Sequence, residues 1–233
     1  MGRAVVLLLF VAVAAVAAAA ALAARSPQQW RTAMHSAASA KHSVHYVSTS
    51  SEPGGALRIV ADVGQGRGIQ RITVTTGGQS GPATVLVVGR SAYIRGNTFT
   101  LRNYFAFSQA QATRYPGQWI SVSSRLRAFS AVAADATFAS FLSDLLPNKH
   151  LAVLRTTIAG RKSVGLRGTV LQGGVKVVET VYAPAGGTPL PFEEKVAPAD
   201  NSGTGRVRMS RWNEAVHLTA PANAVPISTV LGQ

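Results

Sequence analysis

Leu57-Arg58-Ile59-Val60-Ala61-Asp62-Val63, Gly64-Gln65-Gly66-Arg67-Gly68 and Ile69-Gln70-Arg71-Ile72-Thr73-Val74-Thr75 are three consecutive pieces whose reading decides the fold. In the first, Leu57, Ile59, Ala61 and Val63 alternate with Arg58, Val60 and Asp62. In the third, Ile72 and Val74 alternate with Arg71, Thr73 and Thr75. A period of two places one set of side chains on each face of a strand. The glycine-rich piece between them is a turn, so the pair reads as a hairpin.

The same punctuation continues outward. Gly77-Gly78 precedes the more apolar strand Ala83 to Val88, Gly89-Arg90 leads into Ser91 to Arg95, and Gly96-Asn97 turns again. Upstream, Val44 and Tyr46 alternate with His45 and Val47. Strands resume at Leu151–Ile158, Ser163–Leu171, Val175–Tyr182, Pro191–Val196, Gly205–Ser210 and Trp212–Leu218. About ten strands in one sheet must curl or close.

Helical spacing breaks this pattern twice. Ser26-Pro27-Gln28-Gln29 is a helix start with a cap, a first-turn proline and a capping box. Trp30, Ala33, Met34 and Ala37 then form a stripe ending near Lys41. In the middle, Tyr104 to Tyr115 reads as helix, followed by a short extended piece at Trp119 to Val122. Arg125 to Ala134 and Thr137 to Leu146 read as two more helices. Leu126, Phe129 and Val132 make one apolar stripe, and Phe138, Phe141, Leu142 and Leu145 another, each needing a surface to cover. The tail from Pro221 to Gln233 reads as irregular and extended. The expected fold is α+β: a large, curved antiparallel sheet, a half-open β-barrel, whose concave face is covered by the helical insert.

Met1-Gly2-Arg3 followed by Ala4 to Ala24, without a charge, reads as a secretory signal with an A-x-A site at Ala21-Leu22-Ala23. A retained membrane anchor is the alternative, since about 20 apolar residues suffice to span. Residues 1–24 are thus expected to be signal or anchor and 25–233 one domain, exported to the cell envelope or secreted. Cysteine is absent, which removes disulfides, thiolate metal sites and cysteine nucleophiles. Lys plus Arg number 23 against nine Asp plus Glu. Outside a cell such a charge is drawn to anionic membrane or cell-wall surfaces rather than to nucleic acid. The basic residues are scattered, as on a solvated arginine-rich surface.

Catalytic signatures are missing. Gly160 to Gly165 and Gly78 to Gly81 have the wrong spacing for a nucleophile elbow. His42 and His45 fall on opposite faces of a strand, a poor metal pair, and no cofactor motif is present. Glu193 and Glu194 also point apart. Asp135 and Asp144 could serve as an acid–base set only if the fold set another acid opposite them.

Several motifs resemble those of the LppX/LprG-type lipoproteins, which group with LolA-like and RseB-like folds. They are Ala61-Asp62-Val63-Gly64 through Gln70-Arg71-Ile72-Thr73, Gly89 to Phe99, Tyr115-Pro116-Gly117-Gln118-Trp119-Ile120, Pro189-Leu190-Pro191-Phe192 and Ser210-Arg211-Trp212-Asn213-Glu214. The resemblance runs from Trp30 to Pro226, without the lipobox cysteine. It implies a half-barrel around a hydrophobic cavity, and hence extracytoplasmic binding or transport of a lipid or acylated amphiphile without catalysis. The alternative is an envelope sensor or scaffold that binds another protein. Residues expected to line the cavity are Ile72, Val74, Val85, Val87 and Ile94 on strands, with Leu126, Phe129, Val132, Phe138, Phe141 and Leu145 on the insert. A solid core of the same residues is the competing reading.

Overall fold

The computed structural model describes residues 25–172, 175–198 and 203–232. The expected signal or anchor segment lies outside them. Among the described residues no helix is long and apolar enough to cross a membrane.

Helix α1 (Pro27–Ser39) starts as its sequence dictates. Ser26 caps it, the Gln29 side chain returns the bond, and Pro27 occupies the first turn. It buries Trp30, Met34 and Ala38. Strands β1 (Ser43–Glu52), β2 (Gly55–Gly64), β3 (Arg67–Thr76), β4 (Gln79–Val88), β5 (Ser91–Gly96) and β6 (Ile120–Ser123) then pair each with the next, all antiparallel. Helices α2 (Thr98–Asn103) and α3 (Gln109–Arg114) fall between β5 and β6. The single helix expected over Tyr104–Tyr115 is thus two short ones. Asn97 and Ser108 each start a helix by accepting a backbone N–H, and Ala106 between them has φ 56°.

After β6 the chain crosses the sheet through α4 (Ala128–Val132) and α5 (Phe138–Asp144). It lands at the opposite edge and returns as β7 (Lys149–Ile158), β8 (Arg161–Gln172), β9 (Val175–Pro184), β10 (Glu193–Pro198) and β11 (Thr204–Ser210). Strand β11 pairs with β1, so the two meanders join at the centre. The tail then runs back to add β12 (Val225–Pro226) parallel to β6, and ends in α6 (Ile227–Leu231). Among the described residues twelve strands result, in the order β12-β6-β5-β4-β3-β2-β1-β11-β10-β9-β8-β7. The sheet is curved and open, an α+β half-barrel.

Two further expectations are corrected. Trp212–Leu218 is not a strand: the Asn213 N–H bonds to the Ser43 carbonyl and the Asn213 side chain accepts from the His42 N–H, so this piece wraps the end of β1. The tail is not irregular throughout, because α6 buries Ile227 and Val230.

The crossing segment is held down where the sheet lacks a side chain. A Cβ at Gly68 on β3 would collide with the Ala136 carbonyl oxygen, and one at Gly168 on β8 would sit 2.6 Å from Pro147 Cβ. Six interstrand steps separate β3 from β8, or about 29 Å on a flat sheet. The seven-residue α5 spans only about 10 Å of that. Bending the sheet lets so short a roof reach both anchor points.

Two apolar clusters form beneath the helices. One gathers Ile72, Val85, Val87, Ile94, Leu101 and Ile120 around β3–β6. The other gathers Trp30, Met34, Tyr46, Phe141, Leu166 and Val181 around α1, α5 and the central and far strands.

Candidate functional site: an acid-edged cavity under helix α5

Between α5 and strands β1, β11, β10 and β9 lies a cavity of about 510 Å³, within the range of small-molecule sites. Ile59, Phe141, Leu145, Val177, Val196 and Val207 give it apolar walls, and Tyr46, Ser48 and Ser50 add hydroxyls. Glu52, Asp135, Asp144 and Glu194 bring carboxyls to the same space.

Tyr46 fixes the roof. Its ring stacks on Phe141 with centroids 5.3 Å apart, and its hydroxyl donates to the Asp135 carbonyl at 2.9 Å. Gln70, itself buried, donates to that hydroxyl at 2.8 Å. Burial pushes the Tyr46 phenol well above its ordinary value, so it is a neutral donor throughout. Trp212 closes the outer side, edge-on to Phe138 and Phe141 at 6.3 and 6.2 Å.

Strand alternation assigns the two neighbouring glutamates to opposite faces. Glu193 faces outward, where Arg206 at 2.5 Å and Lys195 at 3.7 Å neutralise it. Glu194 faces the cavity. Burial first, then the negative charge of Asp135 and Asp144, raises its pKa. Asp135 is raised by burial and by Asp144. Glu179 on β9 is 2% exposed, with one carboxyl oxygen lacking a hydrogen-bond partner. Burial, and then Glu194 and Asp144, raise it as well. The acid opposite Asp135 and Asp144 is therefore present. Among the described residues no group of acids or histidines is arranged to hold a metal ion.

The residues expected at the cavity separate into two groups. Phe141 and Leu145, one helical turn apart, line it. Phe138 is buried against Trp212 instead. Ile72, Val74, Val85, Val87 and Ile94 point inward but belong to the other cluster. Phe129 and Val132 pack on that cluster too, and Leu126 is 43% exposed. The physical reason is the length of α4: five residues resting on β5 and β6 do not reach the central strands. Glu179, Glu194, Tyr46 and Gln70 were not anticipated as site residues. Their signal was available for Glu179, an acid on the apolar side of the alternation Val177, Val181, Ala183.

No family model matches the chain, and no curated protein matches it. Among solved structures, it is similar to the lipoprotein LppX of Mycobacterium tuberculosis, with 16% identity, TM-score 0.49, and coverage of 82% of this chain and 96% of that one. A conserved protein from Thermus thermophilus shares 9% identity at TM-score 0.45, over 87% and 98% of the two chains. A putative outer membrane lipoprotein-sorting protein domain from Vibrio parahaemolyticus shares 6% at TM-score 0.27, over 82% and 92%.

Proposed function

We propose that the protein is an extracytoplasmic, non-enzymatic carrier that shelters an acyl chain of a lipid or acylated amphiphile beneath α5. The observation that carries this reading is the cavity itself, walled by Ile59, Phe141, Leu145, Val177, Val196 and Val207. Exposing an acyl chain to water costs about 0.8 kcal/mol per methylene, so about a dozen methylenes cost on the order of 10 kcal/mol. Transfer through water is slow for that reason, and an apolar hollow offsets most of the cost. The opening segment Met1–Ala24 supports work outside the cytoplasm.

Mass spectrometry of organic extracts from purified protein tests the proposal. An acylated molecule should be recovered from the parent and depleted in Val196→Phe, whose ring fills the hollow. Recovery of no amphiphile, together with no uptake of a fluorescent fatty-acyl probe, would count decisively against a carrier.

A second reading rests on the carboxyls of Asp135, Asp144 and Glu194 around one cavity, since glycoside hydrolases use carboxyls facing one cleft. Release of nitrophenol from aryl glycosides, abolished in Glu194→Gln, would favour hydrolysis over carriage.

A further inference from the structure

The chain has nine acidic residues and a net charge of +14. Four of those acids line this cavity, and Glu179 sits beside them. The concentration runs against the charge of the whole molecule. A solvated surface has no reason to gather its few acids in a half-buried space, where each raises the cost of ionising the next.

Glu179 supplies the independent observation. It lies on the cavity side of β9: Val177, two residues before it, lines the cavity, and so does Val196, its partner in register on β10. It is 2% exposed, and its Oε1 has no hydrogen-bond partner. A buried polar atom left unpaired costs stability, and such an atom in a native fold calls for a partner. Among the described residues, the basic side chain on the cavity wall already has a carboxylate partner. Arg206, the basic residue on its wall, holds Glu193 on the outer face at 2.5 Å. Arg31, from α1, donates to the Pro147 carbonyl at 2.9 Å.

A donating cation suits these carboxyls, because its charge favours their ionised form and an ionised carboxylate only accepts. An anionic head would add to the repulsion that already raises Asp135 and Glu194. A head with N–H donors and a positive charge offsets the repulsion among these acids and lets them ionise together. We propose that the polar end of this cavity takes a cationic amine, an ammonium carried on an acyl chain. This deepens the carrier reading and rests on it. It also gives selectivity: the +14 exterior repels such a ligand everywhere else, so the cavity is where it collects.

Three twelve-carbon probes below their micelle concentrations test the head separately from the chain: dodecylammonium, dodecyl maltoside and dodecanoate. Methyl resonances of Ile59, Val177 and Val207 report cavity occupancy rather than surface adsorption. Dodecylammonium should bind about tenfold or more tightly than either rival, the effect of hydrogen bonds to charged groups. Glu179→Gln and Glu194→Gln should each remove most of that advantage while leaving dodecyl maltoside unchanged. Glu214→Gln, an exposed acid away from the cavity, should remove none of it. Equal or tighter binding of the maltoside or the dodecanoate would overturn the proposal, and so would Gln variants that keep the ammonium preference. Absence of methyl shifts with all three probes would overturn the carrier reading and this one with it. Chain binding with the wrong head preference would overturn only this one.

Discussion

The two halves of the concave face solve the same packing problem differently. Over β3–β6, helices α2, α3, α4 and α6 lie on an apolar cluster that includes Ile72, Val85, Val87, Ile94 and Ile120. Over β1, β11, β10 and β9, one helix, α5, roofs the sheet and leaves a hollow. The strands on both sides alternate in the same way. What differs is how much helix lies above them. A sheet's inward face is core or cavity according to its cover, and periodicity within the strand does not report the cover.

Cavity-making substitutions should expose that contrast most strongly. Ile94→Ala removes a side chain that is 1% exposed in the β3–β6 half, and should lower unfolding free energy by about 2–5 kcal/mol in urea titrations. A smaller loss is expected from Gly68→Val, whose new side chain must push the Ala136 carbonyl off the sheet. Overpacking of this kind costs about 1–3 kcal/mol, and the Tyr46–Phe141 stack should loosen in aromatic NMR spectra. Val207→Ala, on the wall of the hollow, should cost less than about 1 kcal/mol, because an existing space merely grows. If Val207→Ala and Ile94→Ala destabilised equally, the distinction between halves would be false.

The acids sharpen the comparison through pH. Burial raises Glu179 to about 9 and Glu194 to about 8, both above the ordinary value of about 4.3 in an unfolded chain. The folded state then holds protons that the unfolded state has released. Stability is accordingly full below about pH 4 and declines as pH rises toward 8 and 9. Glu179→Gln should flatten that decline: it should match the parent at pH 4 in thermal melts and exceed it at pH 9. A parent stability that rises between pH 5 and pH 9 would contradict the burial of these carboxyls.

Much of the fold was legible in the sequence because it is local. The hairpin of β2 and β3 follows from two-residue alternation around Gly64–Gly68, and α1 from Ser26, Pro27 and Gln29. Trp212–Leu218 misled because alternation alone does not supply a pairing partner, and its backbone instead bonds across the end of β1. The site was legible in part. Phe141 and Leu145 share a helical face, which spacing reveals. That Glu194 looks inward and Glu193 outward follows from alternation, but the strand's inner side had to be known first.

The chain by itself determined most of the strands, where their turns fall, which faces are apolar, and that no cysteine could assist. Those properties depend on neighbours within a few residues. The tertiary structure decided the rest: that β11 returns to pair with β1, and that a short roof is pinned between Gly68 and Gly168. It also decided that acids far apart in sequence, Asp135, Asp144 and Glu194, meet in one space, with Glu179 buried beside them. Each of those outcomes depends on contacts between distant segments, whose geometry is set by sheet curvature and by the length of the connection that must cross it.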